Sequence, residues 1–214
     1  MHYKIIDKEK YYRKGSYENF TKGAKCSVSM TGRIDVAPLI EKSKKTGTKF
    51  YINFLYILAK VLNSREDYRM GYLWETDELV VYDKINPKHY VFFEEIEICT
   101  PVYTEYDEDY QTFYQNVLKD TAEAKKHRSY DSSANQKPAA FDASYIPWFS
   151  CDSITLELPD GYLYYAPIVT WSSYRKEDGT MKMPVTVRMN HAVADGYLIA
   201  LVFKKLEEEI QAFV

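Results

Sequence analysis

One of the four histidines stands where an imidazole could do chemistry. His191 follows the alternating run Val185, Val187, Met189 and precedes Ala192-Val193-Ala194-Asp195-Gly196, after which a helical pattern begins. A histidine at a strand end, in a strand-to-helix turn, is held by rigid backbone and can face a cleft rather than the core. A neutral imidazole, with a pKa of about 6.5, suits removal of a hydroxyl proton near neutral pH. Moving an acyl group from a thioester to an alcohol needs such a base. It also needs a hydrogen-bond donor already aimed at the carbonyl oxygen that turns negative. Asp195 can cap the following helix, and Gly196 allows backbone angles that a residue with a Cβ resists. The spacing alone leaves two readings open, a reactive imidazole and a structural histidine beside an N-cap aspartate. His2, His89 and His127 sit among lysines or in loop-like sequence, where a solvated imidazole is expected.

The elements that must hold this turn can be read from periodicity. Asp35 is placed to cap a short helix through Leu39 and Ile40 that Gly47 ends in a left-handed turn. From Lys49 to Asn63 apolar residues fall on more than one face, which predicts a largely buried helix. Asp109–Lys126 and Tyr197–Gln211 show apolar residues at helical spacing. Strand patterns cover Lys25–Thr31, Glu78–Tyr82, Tyr90–Ile98, Cys151–Leu158, Tyr164–Trp171 and Met183–Met189, with a turn at Lys176-Glu177-Asp178-Gly179. The expected fold is α/β, or α+β in two layers: a mixed, mostly antiparallel sheet with helices packed on one side. No repeat or boundary divides the chain, so residues 1–214 are read as a single domain.

Composition narrows the partners. With 46% hydrophobic and 28% charged residues over 214 positions the chain has the balance of a folded globular protein. A net charge of −3 lacks the basic footprint of a nucleic-acid binder. No apolar run is long enough to span a membrane, and Met1–Lys8 lacks the apolar core of a signal peptide, so a cytoplasmic location is expected. Cys26, Cys99 and Cys151 are odd in number and show no CxxC spacing, which fits reduced thiols and no metal site. Tyrosine is abundant, at 21 residues, and suits interfaces and aromatic-lined pockets.

The segment Asn190-His191-Ala192-Val193-Ala194-Asp195-Gly196-Tyr197 resembles the chloramphenicol acetyltransferase signature, usually His-His-Ala-Val-Cys-Asp-Gly-Phe. The likeness runs along nearly the whole chain in the same order: Tyr11-Tyr12-Arg13, Cys26 through Asp35, Lys49-Phe50-Tyr51, Tyr68-Arg69-Met70, Asp77–Asp83, Ser144–Trp148 and Tyr165–Thr170. The acyltransferase cores of 2-oxo-acid dehydrogenase complexes share the His-x-x-x-Asp-Gly turn. This sequence has none of their long Pro/Ala linker.

The resemblance implies acetyl-CoA as a co-substrate, with no permanently bound cofactor, and direct transfer to a small-molecule acceptor in a ternary complex. It implies a homotrimer whose sites lie at subunit interfaces. His191 would be the base, the Ser144 hydroxyl would donate to the oxyanion, and Thr170 would hold a water. Asp195 would pair with Arg13 as structural support, and Lys49, Tyr51, Trp148 and Tyr174 would line the coenzyme tunnel. The acceptor pocket would draw on Asn19, Phe20, Cys26, Val28, Tyr90, Cys99, Ile154, Leu156 and Ile168. Here the sequence departs from the family. Asn19-Phe20 replaces a Phe-Tyr pair, Val28 replaces a Phe and Tyr90 a Thr, and Cys99 and Ile154 stand where aromatics are usual. Chloramphenicol, another alcohol, amine or thiol acceptor, and a binding protein that kept only the fold all remain open.

Overall fold

The computed structural model describes residues 2–158 and 163–213. In chain order the elements are β1 (Tyr3–Ile5), α1 (Lys14–Glu18) running into a π-helical turn (Asn19–Gly23), β2 (Ser27–Asp35), α2 (Ala37–Thr46) and α3 (Phe50–Asn63). Then come β3 (Met70–Leu73), β4 (Glu78–Tyr82), β5 (Asn86–Phe93), β6 (Ile98–Tyr103) and α4 (Tyr110–His127). The chain continues through β7 (Ala140–Ile146), β8 (Ile168–Ser172), β9 (Arg175–Glu177), β10 (Thr180–Asn190) and α5 (Gly196–Ala212).

The main sheet has the order β2-β10-β8-β7-β5-β6, with β9 paired to the start of β10. β10 runs antiparallel to both β2 and β8, while β8, β7 and β5 are mutually parallel. The parallel step from β5 to β7 needs a crossover, and α4 supplies it. A second sheet, β1-β4-β3, is antiparallel and was not expected from the sequence.

Period-two alternation splits the main sheet into two faces. Val169, Trp171, Ala143, Val185, Val187 and Met189 point one way and join the core formed with α2, α3, α4 and α5. The all-round apolar character of α3 is explained by its place: it packs between α5, α2 and α4. Gly32 on β2 lets α5 approach closely, since a Cβ there would lie 2.9 Å from the Phe203 ring. The opposite face carries Ser144, Thr170 and Thr186, which sit level across β7, β8 and β10.

Helix boundaries follow the sequence reading to within a residue or two at most ends. Asp109 caps α4 by accepting from the Thr112 N–H at 2.8 Å, and Gly47 ends α2 with φ +67°. Asp35 accepts from the Ala37 N–H at 3.0 Å, although Val36 is the capping position. Three strand readings need correction. Tyr90–Ile98 is not one strand but the end of β5, a reversal at Glu94–Glu97 and the start of β6, with Glu97 at φ +53°. The reversal, Glu94-Glu95-Ile96-Glu97, contains none of the usual turn residues, which hides the hairpin. The stretch from Tyr164 becomes β8 only at Ile168, after Pro167, whose carbonyl accepts from Asp142. Residues 151–158 form no strand: Asp152 is drawn to Arg33 and Arg175, both at 2.7 Å, and the alternating Ile154 and Leu156 find no ladder.

Candidate active site

His191 sits one residue past the last β2–β10 pair, Asn190 with Ser27, and its N–H donates to the Cys26 carbonyl at 3.0 Å. The turn that follows is organised by Asn190. Its buried side-chain oxygen accepts from the Ala192 N–H at 2.9 Å, and its carbonyl accepts from Val193 and Ala194. The family signature has a His at this position, and the comparison gives no hint of what an Asn does there. An Asn at a strand end followed by small residues is the signal that could have revealed this role.

Two contacts fix the His191 ring, and a third residue anchors its turn. Its Nδ1 lies 3.1 Å from the Ala194 carbonyl oxygen. A carbonyl can only accept, so Nδ1 is the donor, and in the neutral ring the lone pair is on Nε2. Phe20, from the π-helical turn, stacks on the ring with centroids 3.9 Å apart and planes 11° from parallel. Asp195 anchors the turn rather than the ring. One of its oxygens caps α5 by accepting from Leu198 N–H at 3.1 Å, and the other pairs with the Arg13 guanidinium at 2.9 Å. That hydrogen bond from Arg13 holds the Asp195 carboxyl below its ordinary pKa. The two sequence readings of Asp195, cap and ion pair, are therefore both realised, one on each oxygen.

Phe20, Cys26 and Val28 stand close to His191; Val28 is the register partner of Met189. Asn19 opens the same π-helical turn. Ser144 and Thr170 lie elsewhere. Thr170 is level with Thr186, and His191 is five residues farther along β10, or roughly 17 Å at strand spacing. Among the described residues neither hydroxyl has a hydrogen-bond partner, so the Ser144 O–H can donate to an incoming group. Ile168, one row away on β8, faces Asp142 and Arg188. Within one chain the imidazole and the two hydroxyls thus lie in two separate places along the sheet. Ile154 and Leu156 lie on the irregular segment next to Ser153, which contacts Thr31 at 3.3 Å, and Leu156 is exposed.

A third group surrounds a cavity of about 250 Å³ lined by Lys49, Tyr51, His89, Tyr90, Cys99 and Trp148, among others. Lys49 is exposed at the start of α3, and Trp148 is exposed with its ring edge-on to Phe92 at 4.7 Å. Tyr51 is half-buried, with its hydroxyl buried, and its ring lies beside Trp171 and Tyr145. Tyr174 packs against Phe50 at 5.3 Å, next to the cavity rather than on its wall. Tyr90 and Cys99, expected at an acceptor, share this wall with the coenzyme candidates.

His89 overturns the expectation of a solvated imidazole. It is fully buried, its Nε2 is 3.1 Å from the Thr104 hydroxyl, and its Nδ1 has no partner among the described residues. Burial lowers its pKa to about 4, so the ring is neutral at physiological pH. The neighbouring lysines misled because alternation sends Lys88 to the opposite face of β5 and His89 into the core.

The fold and the comparisons agree. A sequence profile described as chloramphenicol acetyltransferase matches residues 1–207. A chloramphenicol acetyltransferase of Clostridium perfringens is 30% identical over 212 residues, covering 99% of this chain and 100% of that protein. One from Campylobacter coli is 30% identical over 208 residues, covering 97% and 98%. Among solved structures, a chloramphenicol acetyltransferase superposes with a TM-score of 0.85 at 21% identity over 98% of this chain and 100% of the other. A probable dihydrolipoamide acetyltransferase from Listeria monocytogenes shares the fold at TM-score 0.68 and 11% identity, covering 92% and 89%. With its profile matched over nearly the full length and relatives at this identity end to end, the chain belongs to the chloramphenicol acetyltransferase family.

Proposed function

We propose that the protein transfers the acetyl group of acetyl-CoA to a hydroxyl of a small acceptor, chloramphenicol by analogy with the named relatives, without an acyl-enzyme. The observation that carries this reading is the contact of His191 Nδ1 with the Ala194 carbonyl, which leaves Nε2 of the neutral ring to take a hydroxyl proton. As that proton leaves, the acceptor oxygen attacks the thioester carbonyl. The Ser144 hydroxyl donates to the resulting oxyanion, with Thr170 and its water beside it. The imidazolium then returns its proton to the departing thiolate. Lys49 at the mouth and Tyr51, Trp148 and Tyr174 around the cavity suit a phosphorylated, elongated thioester.

The roughly 17 Å between His191 and the Ser144–Thr170 row supports sites shared between copies of the chain. We take the assembly to be a homotrimer in the cytoplasm, the compartment in which three free cysteines stay reduced. Free thiol release from acetyl-CoA in the presence of chloramphenicol tests the reaction. Mixed assemblies of His191→Ala and Ser144→Ala chains test the shared site: each variant alone should be nearly inactive, and the mixture should regain activity. No recovery would mean that each site is built within one chain.

A further inference from the structure

Two rows of side chains cross the helix-free face of the main sheet side by side. One contains Thr31, Thr186, Thr170 and Ser144. The next, two residues along each strand, contains Ser29, Arg188, Ile168, Asp142 and Lys88. The rows are about 7 Å apart and their members project from the same face, so anything reacting beside Ser144 meets the second row.

That second row is charged. Lys88 Nζ lies 2.8 Å from Asp142 Oδ1, with both side chains nearly buried. Tyr90 approaches the same Asp142 oxygen at 3.5 Å, and the Tyr164 hydroxyl donates to the other. The Asp142 carboxylate is thus fully engaged, and its charge is balanced by Lys88. Arg188 is different. It is half-buried, and among the described residues it forms no ion pair with a carboxylate. Asp142 is the sole acid of the two rows, which also carry Lys88 and Arg188, so among the described residues the rows beside Ser144 sum to one positive charge. A planar guanidinium in such a place is suited to a carboxylate, which it can hold by two parallel hydrogen bonds.

We propose that the preferred acceptor is a hydroxyl compound that also bears a carboxylate, and that Arg188 binds this group while Ser144 and its neighbours receive the reacting end. The inference rests on the acetyl-transfer reading above and names the acceptor class for that site. Arg188 and Ser144 are two strands and one row apart, about 12 Å between Cα atoms, so the carboxylate must stand several ångströms from the hydroxyl. A neutral acceptor of the same shape would leave the guanidinium dehydrated and unpaired, which disfavours it.

The test compares 4-(hydroxymethyl)benzoate with its neutral methyl ester, and with chloramphenicol, by thiol release from acetyl-CoA in the intact protein. The expected kcat/KM ratio of acid to ester is at least ~10, the discrimination that a charge-assisted bidentate contact provides. In Arg188→Gln the ratio should collapse to about one, and Arg188→Lys should retain part of it. Equal use of acid and ester by the native protein would overturn the proposal. So would an Arg188→Gln loss that is the same for all acceptors and accompanies dissociation of the assembly, which would make Arg188 a subunit contact. Turnover of chloramphenicol with indifference to the carboxylate sinks the acceptor class alone. Absence of thiol release with every acceptor overturns acetyl transfer, and the acceptor class with it.

Discussion

Replacing Asp195 with Asn removes the carboxylate charge but keeps a side chain that caps a helix as well as Asp does. The substitution therefore isolates the bond to Arg13, 2.9 Å long, from the cap on Leu198. Breaking a fully buried pair costs about 3–5 kcal/mol, because the stranded partner stays charged. Arg13 fits that case, with its side chain 13% exposed, but Asp195 is 38% exposed and water screens its end of the bond. A charge-assisted hydrogen bond of about 1.5–3 kcal/mol is the better measure. For a chain of this size that corresponds to a fall in Tm of about 3–12 °C. Asp195→Ala should lose roughly 1 kcal/mol more, the worth of the cap.

The pH dependence follows from the direction of the shift. Pairing with Arg13 depresses the folded-state pKa of Asp195, so its stabilisation is fully present above the unfolded value of about 3.9 and is lost as pH falls through the lower folded value. The difference between native protein and Asp195→Asn should be constant near neutrality and shrink only below about pH 4. Turnover should fall with Tm, since the loosened turn carries His191. Thermal melts and thiol-release kinetics on Asp195→Asn, Arg13→Met and the double variant decide the matter. The double variant should be less impaired than the sum of the two singles. Additive losses would refute the pairing argument and leave Asp195 as a helix cap.

His191→Ala should lower kcat by at least ~100-fold with the melting temperature little changed, and near-native turnover would remove the imidazole from the mechanism. Ser144→Ala should lower kcat by about 100- to 1000-fold without abolishing the reaction, because the base remains; an unchanged kcat would exclude it as the oxyanion donor. His89 yields a separate pH signature. Its pKa near 4, against about 6.5 unfolded, makes its contribution complete above pH 6.5 and lost as pH falls toward 4, by about 3 kcal/mol in total. Urea midpoints measured across that range should show this decline in the native protein and not in His89→Phe; parallel curves would mean that His89 is not held neutral.

Much of the positioning frame could be read from local pattern. The helices α4 and α5 each bury a face set by a repeat close to 3.6 residues, and α3 is apolar on more than one face; both patterns depend only on which residues lie nearby in the chain. The turn around His191 was legible for the same reason: strand, Asn190, small residues, Asp195 and Gly196 are contiguous, and each has a local preference for its place. The family resemblance added the Arg13–Asp195 pair, which no spacing could suggest across 182 positions.

What tertiary structure decided is where pairing and burial depend on distant partners. Residues 151–158 alternate like a strand, but a strand needs a neighbour to accept its hydrogen bonds, and Arg33 and Arg175 hold this stretch by Asp152 instead. His89 has lysines around it in sequence, yet α3 and α4 close over its side of β5 and make it one of the most buried residues. The placing of the candidate site residues is the clearest case. Sequence order cannot say that Ser144 and Thr170 are level with Thr186 while His191 lies five residues beyond, because strand register is set by long-range pairing of three segments. The same register places Arg188 beside Asp142 and Ile168, since residues far apart in the chain become neighbours only when the ladder between them closes.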